Sequence, residues 1–66
     1  MNVMINGEAH DMPPGATVAY AVQALTSATS GIAVAVNDEV VRRSAWDTTP
    51  LSERDRVEVL TAVQGG

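Results

Sequence analysis

The chain closes on two residues without side chains, Gly65-Gly66, which give it the thinnest and most pliable ending a polypeptide can have. Such an end can thread a narrow channel and present a terminal carboxylate inside another protein's site. Counted from Val63, the last residue of a predicted strand, Gln64-Gly65-Gly66 reaches about 10 Å further. A terminal carboxylate titrates near ~3.5, so at neutral pH it is an anion and a poor electrophile. It must be activated before a nucleophile can attack it. Adenylation by ATP would supply the leaving group, and sulfide or a persulfide could then displace AMP to leave a thiocarboxylate on Gly66. The bland alternative for the same residues is a frayed end.

The other chemistry-bearing residues point elsewhere. There is no cysteine among the 66 residues, which removes thiol nucleophiles, thiolate metal sites and disulfides, so any sulfur chemistry has to use another atom. His10 has no second histidine or thiol with which to share a metal, and it reads as a surface or hydrogen-bonded residue. Asp38, Glu39, Asp47, Glu53, Asp55 and Glu58 fall in turns or beside arginines, the pattern of a solvated surface. A chain of this length buries only ~60% of the surface that its unfolded form exposes, too little to shelter a catalytic acid/base pair easily. Trp46 reads as a packing plug. Arg42-Arg43 either pairs with nearby acids or offers a partner a small basic contact. With 8 acids against 4 bases and a net charge of -4, the composition argues against nucleic acid and anionic membranes as partners. Met1 to Asn6 carries no basic residue and turns polar at once, unlike a signal peptide, so the expectation is a cytoplasmic protein. Its apolar runs fall far short of the ~20 residues that cross a bilayer.

The elements that must position the tail can be read from periodicity. Val3 and Ile5 alternate with Asn2, Met4 and Asn6, and Asn6-Gly7 supplies the φ > 0 pair of a tight hairpin turn, so 2–6 and 8–12 read as paired strands. Pro13-Pro14-Gly15 stops the second of them. Thr17 is a candidate N-cap, and Val18, Ala21, Val22 and Leu25 form one apolar stripe on a helix predicted over 18–28. Ile32 to Val36 is apolar on both faces, a strand expected to be central or covered by a partner. Asn37-Asp38-Glu39 turns the chain into Val40-Val41-Arg42. An irregular stretch, 44–55, precedes a last strand, 56–63, with Val57, Val59, Thr61 and Val63 on one face. One domain over 1–63 and a tail of 64–66 follow. The order of elements predicts an α+β fold, a mixed sheet of four to five strands packed on one main helix.

A single helix can cover only one face of that sheet. Met4, Ala33, Ala35, Leu60 and Ala62 fall opposite the core positions of their strands, so they are expected to form an apolar patch leading to the tail and to serve as a partner interface.

Five segments together resemble the ThiS sulfur-carrier family: Val3-Met4-Ile5-Asn6-Gly7; Pro14-Gly15-Ala16-Thr17-Val18; Ile32 to Val41; Arg43 to Trp46; and Asp55-Arg56-Val57-Glu58-Val59 on to Gly65-Gly66. The resemblance spans the chain. It implies a ubiquitin-like β-grasp fold, in which the first and last strands meet in the middle of the sheet. It also implies that an E1-like, ThiF-like adenylyltransferase uses ATP and magnesium to adenylate Gly66. A sulfur donor protein or sulfide then yields the thiocarboxylate that thiazole synthase, ThiG, uses in thiamine biosynthesis. Gly65 and Gln64 would thread the tail, and the carrier itself would bind no cofactor or metal and catalyse nothing. The molybdopterin-synthase small subunit, MoaD, shares this tail chemistry, and a ubiquitin-like modifier joined through Gly66 is a further alternative. Two departures stand out. Where many relatives carry Asp-Gly-Asp before the last strand, this chain has Glu53-Arg54-Asp55, and with no phenylalanine anywhere, Leu60 replaces any aromatic contact from that strand.

Overall fold

The computed structural model describes residues 1–27 and 30–61. Strand β1 (Asn2–Ile5) turns through Asn6 and Gly7 into β2 (Glu8–Asp11), both turn residues having positive φ, 51° and 84°. Asparagine tolerates this conformation and glycine adopts it freely, which closes the hairpin in two residues. Helix α1 (Val18–Leu25) starts at the predicted cap, where Thr17 Oγ1 accepts a hydrogen bond from the Tyr20 N–H. It ends sooner than the apolar pattern implied. Thr26 donates its N–H to the Val22 carbonyl and the backbone there is already extended; Ala28, the predicted last helical residue, lies outside the described residues.

Strand β3 (Ile32–Val36) and β4 (Glu39–Val41) make a second two-residue hairpin through Asn37 and Asp38, again both at positive φ. The predicted β4 was one residue out of step, because Arg42 instead caps a short 3-10 helix, Arg43–Thr48. This helix occupies part of the stretch expected to be irregular. Strand β5 (Arg56–Thr61) closes the sheet, and the predicted strand residues Ala62 and Val63 lie outside the described residues.

The five strands lie in the order β2-β1-β5-β3-β4. All neighbours are antiparallel except β1 and β5, which run parallel with Met4 opposite Arg56 and Ile5 opposite Val57. The parallel pair thus joins the two ends of the sequence, and β5 is the middle strand. Inward-facing Val3, Ile5, Val34, Val57 and Val59 pack with Val18, Ala21 and Val22 of α1, and with Met12, Trp46 and Leu51. Leu25, expected on the helix stripe, is exposed, and Ala19 is buried in addition. Thr61 is exposed and its neighbour Ile32 only half buried, so the core thins toward the end of β5.

A clasp binds the start of α1 to the chain beyond the 3-10 helix. The Val18 N–H donates to the Thr49 carbonyl at 3.0 Å and the Leu51 N–H to the Ala16 carbonyl at 2.8 Å. Trp46 is 5% exposed; its Nε1–H donates to the Val41 carbonyl at 3.0 Å, and the Arg43 guanidinium lies 4.5 Å from its ring centroid. The indole therefore plugs the core with its polar edge satisfied. Among the described residues no helix is long and apolar enough to cross a membrane.

Candidate functional site

Gly66, Gly65, Gln64 and Ala62 lie outside the described residues, so the geometry that bears on the tail is that of the strand preceding it. Because β5 is flanked by β1 and β3, its direction is set from both sides. Two asparagines reinforce it. At its start, the Arg56 N–H donates to Asn37 Oδ1 at 3.0 Å, the Asn37 N–H donates to the Arg56 carbonyl at 2.8 Å, and Asn37 Nδ2 donates to Asp55 Oδ1 at 3.0 Å. Further along, the Val59 N–H donates to Asn6 Oδ1 at 2.9 Å and Asn6 Nδ2 donates to the Val59 carbonyl at 3.1 Å. Both asparagines hold positive φ. Sequence reasoning explained them as turn formers and missed that their side chains also pair with the middle strand.

The sheet face opposite the core carries the remaining predicted residues. Ala33 lies across from Leu60, Ala35 across from Glu58, and Met4 across from Arg56. Leu60 is 68% exposed, Ala33 is exposed, and Met4 and Ala35 are half buried. Val40 extends this row, paired with Ala35 and 82% exposed. It was missed as a surface residue, although its alternation with Val41 was the available signal. Two charges interrupt the apolar surface. Glu58 is exposed, and Arg56 is held by Asp38 at 3.2 Å. A shallow hollow lined by Gly31, Ile32, Ala33, Leu60 and Thr61 opens at the point where the described part of β5 ends. The face thus combines small apolar side chains, a bulky leucine and a hollow at the end of the described part of β5, with Glu58 and the Arg56–Asp38 pair set among them.

The remaining candidates stay apart from it. His10 is half buried on the core side of β2, opposite Val3, and, against the expectation of a surface or hydrogen-bonded residue, its buried Nε2 has no hydrogen-bond partner among the described residues, Glu8 Oε1 lying 3.9 Å away. Among the described residues no group of three or more histidines or carboxylates converges as a metal site would require. A second cleft, between α1 and the 3-10 helix, is lined by Ala19, Val22, Gln23, Arg43, Trp46 and Asp47 among others, on the helical side of the sheet.

Residues 3–66 match the ThiS family. The chain belongs to that family. Its fold agrees: the crystal structure of a thiamine biosynthesis protein (ThiS) from Geobacter metallireducens is 32% identical and superposes over the whole of both chains with a TM-score of 0.80. An NMR solution structure of a thiamine biosynthesis protein from the same organism is 33% identical, covers all of this chain and 88% of that one, and gives a TM-score of 0.81. The sheet with its parallel first and last strands is therefore the β-grasp arrangement. A curated relative, a thiazole synthase of Magnetococcus marinus, is 33% identical over all 66 residues, and the chain spans only a fifth of that protein's length.

Proposed function

We propose that this chain is a sulfur carrier in thiamine biosynthesis, a protein cosubstrate acting in the cytoplasm through Gly66. The observation that carries this reading is its membership of the ThiS family over residues 3–66, a span that includes the glycine pair. In the first step the Gly66 carboxylate attacks the α-phosphorus of ATP on a ThiF-like adenylyltransferase, and magnesium pyrophosphate leaves. In the second, a sulfide or persulfide sulfur attacks the acyl carbon and AMP departs with the bonding pair. When a persulfide is the attacking group, a further thiol must reduce the acyl disulfide to release the thiocarboxylate. The carrier contributes no catalytic group to either step. It supplies a carboxylate on a narrow peptide, since neither Gly65 nor Gly66 adds a side chain to the channel that must admit them.

Thiazole synthase is proposed as the acceptor. The Magnetococcus marinus protein of that name contains a stretch similar to this entire chain, and a carrier-like segment joined to the enzyme that consumes its sulfur supports that pairing. The face bearing Met4, Ala33, Ala35 and Leu60 is proposed as the surface that both partners recognise; Ala62, expected with them from the sequence, lies outside the described residues.

Intact-mass spectrometry tests the chemistry. Incubation with a ThiF-like adenylyltransferase, magnesium, ATP and sulfide is expected to raise the chain's mass by the difference between one sulfur and one oxygen, and removal of Gly66 is expected to abolish the gain. Transfer onto lysines of other proteins in place of that gain would identify a modifier. Exchange with molybdopterin synthase and none with thiazole synthase would reassign the pathway.

A further inference from the structure

We propose that Asn6 is a positioning residue for the activation of the tail, holding straight the half of β5 from which residues 62–66 continue. The inference rests on the sulfur-carrier reading above and adds to it a residue outside the tail and outside the open sheet face.

The backbone of β1 can accompany β5 only part of the way. Its ladder ends at Ile5 opposite Val57, with the Asn6 N–H donating a last backbone bond to the Val57 carbonyl at 2.9 Å, because Gly7 then turns the chain away into β2. In a longer parallel ladder the next rung would offer the Val59 N–H an acceptor and the Val59 carbonyl a donor from the continuing strand. Here both are supplied by one side chain: Asn6 Oδ1 accepts from Val59 at 2.9 Å and Asn6 Nδ2 donates to it at 3.1 Å. Val59 is 4% exposed, so its backbone groups would be poorly served by water if the amide were removed. Beyond Val57 the amide of Asn6 therefore takes the place of a strand, while β3 holds the opposite edge as far as Ile32 and Thr61.

Anchoring matters at this point because it fixes the place from which the rest of the chain continues. Five residues follow Thr61 and span at most ~17 Å, whereas an attacking carboxylate must come within about 3.5 Å of its phosphorus in a reactive complex. Play in the second half of β5 would add to the freedom of the glycine-ended tail and spread the carboxylate over a larger volume. The carrier would still dock, but a smaller fraction of docked complexes would be aligned for attack.

Asn37 provides a control. It has the same residue type and positive φ, and its side chain accepts from the Arg56 N–H at the beginning of β5, the end away from the tail, while the Arg56 carbonyl is served by the Asn37 backbone N–H. The experiment compares the parent, Asn6→Gly and Asn37→Gly, glycine being chosen because it keeps the turn conformation while deleting the amide. Adenylyltransferase-catalysed ATP–pyrophosphate exchange is measured against carrier concentration, with the carrier's Kd measured separately and amide hydrogen exchange recorded on each free protein. Asn6→Gly is expected to lower the kcat of exchange ~10-fold with Kd within about twofold of the parent, and to speed amide exchange at Val59 and Thr61 ~10-fold relative to Ile5. Asn37→Gly is expected to leave kcat within about twofold. Asn6→Asp, which retains the acceptor for Val59 but not the donor, is expected to fall between them and serves if the glycine variant does not fold. Equal losses of kcat in the two glycine variants would overturn the proposal and leave a purely structural role, as would an unchanged kcat in Asn6→Gly or Asn6→Asp. A folded parent that supports no exchange would instead overturn the sulfur-carrier reading, and this assignment with it.

Discussion

Arg54 is the residue whose identity and conformation agree least. Its φ of 67° places a long side chain in the left-handed region, where L-residues other than glycine, asparagine and aspartate are strained by about 1–2 kcal/mol. Its backbone is nonetheless well used, the N–H donating to the Asn2 carbonyl at 2.6 Å while Glu53 accepts from the Asn2 N–H at 3.0 Å. The turn therefore demands the conformation but not the guanidinium. The departure from Asp-Gly-Asp noted in the sequence falls on this position, where glycine would be least strained. Arg54→Gly is expected to stabilise the fold by about 1 kcal/mol, after the greater freedom of glycine in the unfolded chain is subtracted; urea denaturation checks it, and a loss of stability would show that the side chain holds the turn. Trp46 makes the opposite case, a residue whose every part is used. Trp46→Phe removes the donor to Val41 and shrinks the ring beneath Arg43, and is expected to cost about 1–3 kcal/mol in the same measurement.

Elements with a local cause were legible in the sequence. The Asn6-Gly7 hairpin, the Thr17 cap and the start of α1 each depend on a few adjacent residues, and each forms where those residues place it. Elements fixed by distant partners were not legible. Leu25 satisfies the helical period, yet no sheet residue reaches it and it stays exposed. The 3-10 helix has no apolar repeat of its own, being organised by Trp46 and by the clasp that ties 49–51 to 16–18. The order of elements predicted a mixed sheet without saying which strands run parallel; that pair is β1 with β5, a meeting that the family resemblance implied and periodicity could not. The tail was legible only as composition, since a glycine pair states its pliability without stating what positions it. The side chains of Asn6 and Asn37 were hidden because turn formation already accounted for them. The clasp also yields a prediction. Leu51 is buried where it joins the core, so Leu51→Ala is expected to remove about 2–5 kcal/mol and to lower the thermal midpoint; an unchanged midpoint would show that the clasp's backbone bonds suffice without the side chain.

At the scale of the whole molecule, one sheet face packs the core and the other, which carries the exposed Val40 and Leu60, is the face proposed for association. Leu60→Glu places a carboxylate on the open face beside Glu58, where it is expected to alter stability by less than about 1 kcal/mol while weakening binding to the adenylyltransferase or the synthase at least ~10-fold. Titration calorimetry against each partner reads this directly, and unchanged affinity for both would move the interface elsewhere. Deleting Gly65 and Gly66 is expected to leave circular dichroism and the melting temperature unaltered, because the glycines follow the last ladder pair among the described residues, Ile32 with Thr61; a large loss of stability would make the tail part of the core. The central place of β5 has a further consequence, for synthesis on the ribosome. The strand that lies between the two hairpins follows both of them in the chain and is translated after both. Until Arg56–Thr61 clears the exit tunnel, the β1–β2 hairpin and the β3–β4 hairpin have no shared neighbour and their valines no common interior. Folding of the domain must therefore wait until β5 itself has been made, and a nascent chain that stops short of it is left as an unfolded target for proteases before it can dock as a carrier with nothing to carry.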